Sequence, residues 1–136
     1  MMDFKLKDGE VVRTVKCIKD TNTVLEAGDL VALSSGVIIK AVAGSTAIAW
    51  CPNGAASADT EVEVSVGNDF TLLGTGDGVF ADTYKGTEVD LSGSTNLTID
   101  VTGGTTYKVL KFGIDKDTGV VGSTANISVR INAPLF

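Results

Sequence analysis

Three stretches of this sequence alternate apolar and polar residues with a period of two. Residues 61–66 set Val62, Val64 and Val66 against Glu61, Glu63 and Ser65. Residues 97–101 repeat the pattern with Leu97, Ile99 and Val101, and residues 126–131 with Ile127, Val129 and Ile131 against Ser128 and Arg130. Successive side chains of a strand point to opposite faces, so each stretch reads as a half-buried antiparallel strand. A helix, with its period of 3.6, would scatter these residues around its circumference.

The residue choice extends that reading to the whole chain. Val (17), Ile (8) and Thr (16) supply 41 of 136 residues, and branching at Cβ suits all three to a pleated strand. Sixteen glycines supply turns, and there are only two prolines. Further strands are expected at residues 11–18, 30–33, 37–41, 47–51, 70–73, 88–91, 107–114 and from 120. The run 30–33 is apolar throughout and predicts a strand covered on both faces. Ser34-Ser35-Gly36 then predicts a hairpin into 37–41. The expected fold is all-β: a compact antiparallel β-sandwich or small β-barrel of roughly ten short strands. Residues 11–132 form the single domain. Residues 1–10 are an N-terminal arm or edge strand, and residues 133–136 an apolar C-terminal tail.

Charge and chemistry narrow the function. Seventeen acids against eleven bases leave a net charge of −6, which repels phosphate and argues against nucleic-acid binding. There is no histidine, which removes the usual nucleophile–base systems and the commonest zinc ligand. No apolar run reaches the roughly 20 residues of a membrane span. The first ten residues lack the apolar stretch of a secretory signal, so synthesis in a reducing cytoplasm is expected. Cys17 and Cys51 sit in apolar strand-like runs and are expected to be buried free thiols.

Three clusters resemble chemical motifs and fall short. Gly74-Thr75-Gly76-Asp77-Gly78 lacks the third glycine and the helix of a dinucleotide loop, and reads as a turn or bulge. Asp115-Lys116-Asp117-Thr118-Gly119 spaces its carboxylates like a calcium loop. The bidentate glutamate at the twelfth position is missing, because Asn126 stands there, so a solvated hairpin turn is expected. Asp82, Glu88 and Asp90 offer carboxylates for glycoside chemistry, but only Phe80 and Tyr84 lie nearby for ring stacking, so a polar rim is expected. No catalytic, cofactor-binding or metal-binding residue is assigned, and no enzyme is expected.

The segments 23–43 and 76–131 carry a resemblance. Val24-Leu-Glu-Ala-Gly-Asp-Leu-Val-Ala-Leu leads into an apolar run. Later come Gly78-Val-Phe, Tyr84-Lys-Gly-Thr-Glu-Val-Asp-Leu, and Thr106-Tyr-Lys-Val-Leu before the Asp115 turn. This pattern resembles the small capsid decoration, or cement, proteins of tailed bacteriophages and covers about two-thirds of the chain. The resemblance implies a β domain on the outer capsid surface of the virion, made in the host cytoplasm. It implies the major capsid protein as partner, self-association as a trimer, no cofactor and no catalysis. The apolar ends supply the expected capsid or subunit contacts: Met1, Met2, Phe4, Leu6, Pro134, Leu135 and Phe136. The other reading is a receptor- or carbohydrate-binding β module of a phage tail or fibre.

Overall fold

The computed structural model describes residues 3–9, 11, 13–93, 96–101 and 106–136. Among these the fold is all-β. The strands in chain order are β1 (Lys5–Gly9), β2 (Thr14–Ile18), β3 (Asp29–Ser34), β4 (Val37–Lys40), β5 (Ala49–Cys51) and β6 (Glu61–Ser65). They continue with β7 (Phe70–Gly74), β8 (Glu88–Val89), β9 (Leu91–Ser92), β10 (Thr98–Ile99), β11 (Leu110–Phe112) and β12 (Ile127–Ile131). The helical content of the described residues is one 3-10 turn, Asp82–Tyr84. No helix among them is long and apolar enough to cross a membrane.

The largest sheet is antiparallel, in the order β1-β7-β12-β11-β8. A second sheet runs β4-β3-β5, and the pairs β2-β6 and β9-β10 complete the architecture, which is that of a compact β-sandwich. The β3–β4 hairpin closes on Ser35 (φ 49) and Gly36 (φ 85). Two successive positive φ values make the turn whose twist matches the flanking strands.

The β4-β3-β5 sheet has a hydrophobic core on each face. Leu30, Ala32 and Trp50 pack with Phe70, Leu72, Leu110, Ile127 and Val129 of the large sheet. Their strand neighbours Val31, Ala49 and Cys51 pack on the other side with Val62 and Val64 of β6. This is the covering on both faces that the apolar run predicts. It ends before Leu33, which is exposed.

Several expected strands are shorter than their apolar runs. Residues 88–91 do not form one strand. Asp90 turns inward, its carboxylate accepting from the backbone N–H groups of Tyr107 (2.8 Å) and Lys108 (2.6 Å). β8 and β9, on either side of it, belong to different sheets. Residues 120–121 make only a single bridge, Val121 with Phe80, and both valines remain exposed.

The N-terminal segment is stitched into the core rather than free. The Phe4 ring is fully buried, and a Cβ on Gly74 would overlap it. The Phe4 amide donates to Gly28 (3.2 Å), and its carbonyl accepts the Trp50 indole N–H (3.1 Å). Beyond it, β1 is the edge strand of the large sheet. The C-terminal residues run beside β5: Ile48 donates to the Ala133 carbonyl (2.9 Å) and Leu135 to the Ile48 carbonyl (2.9 Å).

Candidate functional site

The outer face of the large sheet gathers positive charge in an acidic chain. Cross-strand partners share a face, so Lys5 of β1, Leu73 of β7 and Ser128 of β12 form one row across it. A β-bulge interrupts β1 between Leu6 and Asp8. Bulges re-aim side chains, and the extra residue here, Lys7, crosses β7 to donate from Nζ to Ser128 Oγ (2.7 Å) and to the Asp117 carbonyl (3.2 Å). The loop after β11 then brings in Lys116. It is held by the Asp115 carboxylate, which accepts from the Asp117 N–H (2.8 Å), and by the Ser128 N–H donating to the Thr118 carbonyl (2.7 Å). The sequence reads residues 115–119 as a hairpin turn; the structure makes that turn one wall of a cleft.

Lys5, Lys7, Leu73, Lys116, Asp117, Gly119, Val120 and Asn126 line this open cleft of about 400 Å³. Three lysines face one aspartate. Among the described residues no carboxylate lies within ion-pair distance of these three ammonium groups. The face continues along the sheet, where Lys111 stands opposite Arg130, with Glu88 beyond it and Asp8, the partner of Thr71, at the other end.

An apolar rim borders the cleft. Val120 is 70% exposed and Val121 62%. The Phe80–Val121 bridge brings exposed Val79 beside them; Ile114, 79% exposed, lines a separate cleft with Thr71 and Arg130. These side chains lie outside because the core below is filled. Phe80, Tyr84 and Phe112 pack with centroids about 6 Å apart, and Gly119 presses so closely on Phe80 that a Cβ there would lie 2.8 Å from the ring.

The contact residues expected from sequence separate into three groups. Met1 and Met2 lie outside the described residues. Phe4 must be withdrawn: a fully buried side chain presents nothing to a partner, and its hydrophobicity serves the domain's own core. Leu6 and Phe136 are exposed, while Pro134 and Leu135 are half-buried, with Leu135 packed on the smaller core.

The three motif-like clusters have structural roles. Gly76 fits where a Cβ would lie 2.7 Å from the Gly78 carbonyl, and Asp77 Oδ1 accepts from the Val101 N–H (2.9 Å). Asp82 pairs with Lys85 (3.3 Å), Asp90 holds backbone, and Glu88 faces Lys111, so the three carboxylates do not converge. Among the described residues no group of three or more Cys, Asp or Glu side chains is placed to hold a metal. Cys17 and Cys51 are free thiols. Cys51 is buried, but Cys17 is only half-buried, because β2 lies on the outside of its two-stranded sheet. Burial pushes both thiols up from their ordinary pKa.

Besides Asp90, two further buried charges are not apparent from the sequence. Lys19 is 1% exposed, and its ammonium donates to the carbonyls of Asp20 (2.6 Å), Thr23 (2.5 Å) and Ser57 (3.4 Å). Asp29 is also 1% exposed. Its Oδ2 accepts the Glu26 N–H (2.9 Å), whereas Oδ1 has no hydrogen-bond donor and lies 3.7 Å from Lys40 Nζ. Lys40 in turn pairs with Asp3 at 3.2 Å. Burial pushes the Asp29 carboxyl up, against the opposing pull of the Glu26 amide and Lys40. A lone lysine or aspartate in a polar stretch carries no sequence signal of burial.

No protein-family model matches the chain, and no curated protein and no solved structure matches it either.

Proposed function

We propose that this protein is a structural virion protein that binds the outer surface of a tailed-phage capsid and cements the shell. The observation that supports the reading is the exposed apolar rim of Val79, Val120 and Val121 beside the lysine cleft. Exposed apolar side chains next to lysines that have no carboxylate partner among the described residues suit a contact surface between proteins. The sequence resemblance to decoration proteins points the same way. The major capsid protein is the partner, and the protein decorates the shell as a homotrimer. A threefold position on a shell selects three-fold closure of the bound copies. A protein that binds only the assembled shell stabilises it by mass action, and many such contacts add through multivalency.

The test compares heads assembled with and without the protein, heated or osmotically shocked and assayed for DNA release. Decorated heads should retain their DNA to higher temperature. Equal release from both would defeat the cement reading and favour a receptor- or carbohydrate-binding module.

A further inference from the structure

We infer that the Lys5–Lys7–Lys116 cleft binds an acidic segment of the partner protein, with a small apolar side chain seated on Val120. The inference rests on the capsid-binding reading for the partner's setting, but the site itself rests on geometry. In a chain of net charge −6, three lysines converge on one cleft with a single aspartate among them. Like charges gather at a cost, which carboxylates supplied by a partner would offset. Lys7 is already aimed by the bulge and by Ser128, so part of the site is pre-ordered before a partner arrives.

The occupant is an acidic protein segment rather than a nucleic acid, because the charge of the whole chain repels a long polyanion while the cleft attracts a short one. It is not a second β1 edge, since that pairing would bring further lysines beside Lys5 and Lys7. Lysines on an edge strand discourage that pairing.

The experiment has two arms. In the first, the isotope-labelled protein is titrated with a hexapeptide alternating glutamate and valine, with its lysine–valine counterpart, and with a short single-stranded oligonucleotide. Amide shifts confined to residues 5–9, 71–73 and 115–121, produced by the glutamate peptide and weakened by salt, are expected. No response, an equal response to the lysine peptide, or a response to the oligonucleotide alone overturns the inference.

In the second arm, Lys5→Glu with Lys116→Glu is compared with wild type for binding to undecorated heads. Among the described residues neither side chain has a bonding partner, so the variant should fold normally, as circular dichroism will show, and bind about tenfold more weakly. Equal head binding by both proteins overturns the acidic-segment site and leaves the capsid reading standing. If neither binds heads but the peptide still maps to the cleft, the capsid reading falls and the site stands. Charge reversal that instead abolishes self-association, with the peptide silent, assigns the cleft to a second copy and also overturns the inference.

Discussion

The indole N–H of Trp50 donates to the carbonyl of Phe4 across 3.1 Å, joining β5 to a residue 46 positions earlier. The same Phe4 places its ring where Gly74 has no side chain. The beginning of the described chain is therefore a wedge between the two main sheets. Phe4→Ala should cost about 3–5 kcal/mol, the range for removing a buried phenylalanine. Gly74→Ala should cost about 1–3 kcal/mol by overpacking against that ring. Denaturant titration followed by Trp50 fluorescence measures both. A loss below about 1 kcal/mol for Phe4→Ala would return the segment to the role of a peripheral arm.

Lys19 holds three carbonyls from two loops with one ammonium. Lys19→Met keeps the apolar stem and removes the donors. The expected cost is about 1–2 kcal/mol, toward the low end of the penalty for unsatisfied acceptors, because these carbonyls are only partly buried. Hydrogen exchange should accelerate in residues 20–23 and 55–60 more than in the large sheet. Uniform acceleration everywhere would mean that Lys19 contributes only to global stability.

Much of this architecture is legible in the sequence because it depends on local alternation. Val62 and Val64 face inward from β6, and Ile127, Val129 and Ile131 from β12, as their period of two requires. Ser65 and Ser128, expected to face outward from the same strands, are buried too, accepting from the Trp50 N–H and the Lys7 ammonium. The hairpin over residues 30–41 follows from Ser35-Gly36, whose backbone conformation is a local property. What alternation cannot supply is the partner of each face. Leu30 and Val31 both read as buried, yet only the fold assigns them to different cores. The lysine cleft is hidden for the same reason: Lys5 and Lys116 are separated by most of the chain, and a bulge re-aims Lys7. Phe4 misleads because an apolar residue near a terminus looks identical whether it anchors the domain or a neighbour.

Asp29 should make stability depend on pH. Its carboxyl is pushed up by burial, so the folded state holds the proton to higher pH than the unfolded state does. The sign follows from linkage: the contribution is fully present below the unfolded pKa and is lost as pH rises through the raised folded pKa. Asp29→Asn cannot titrate and should lack that loss. The stability of wild type relative to Asp29→Asn should therefore fall on going from acid toward neutral pH and then level off. Paired thermal melts across that range measure it; a difference independent of pH would show an Asp29 pKa unchanged by folding, and a difference that rises with pH would show the carboxylate stabilised beside Lys40.

The two thiols should differ in access rather than in kind. Both are free, and both are displaced toward the protonated form by burial. Alkylation of the denatured, unreduced protein should add a label at each cysteine. In the native protein Cys17 should react slowly and Cys51 only on unfolding, because the thiolate is the reactive form and Cys51 is sealed in the smaller core. Mass spectrometry over a time course separates the two, and equal native rates would mean that β5 opens as readily as β2.

The C-terminal residues require a sharper experiment than truncation. Deleting residues 133–136 removes the hydrogen bonds of Ala133 and Leu135 to Ile48, and that of the Gly67 N–H to the Phe136 carbonyl (3.2 Å). It also strips Leu135 from the smaller core. The deletion should therefore lower the melting temperature, at about 1 kcal/mol for each lost hydrogen bond plus the loss of Leu135 burial. Phe136→Ser differs, because the ring is 50% exposed and its backbone bond survives the substitution. Its effect on stability should stay within about 0.5–1 kcal/mol, since surface changes away from a core seldom cost more. If Phe136 is a shell or subunit contact, Phe136→Ser should weaken head binding or self-association while leaving the melt nearly unchanged. Head binding and sedimentation equal to wild type would remove Phe136 from the contact set and leave Leu6 and the apolar rim at Val120 and Val121 as surfaces to test.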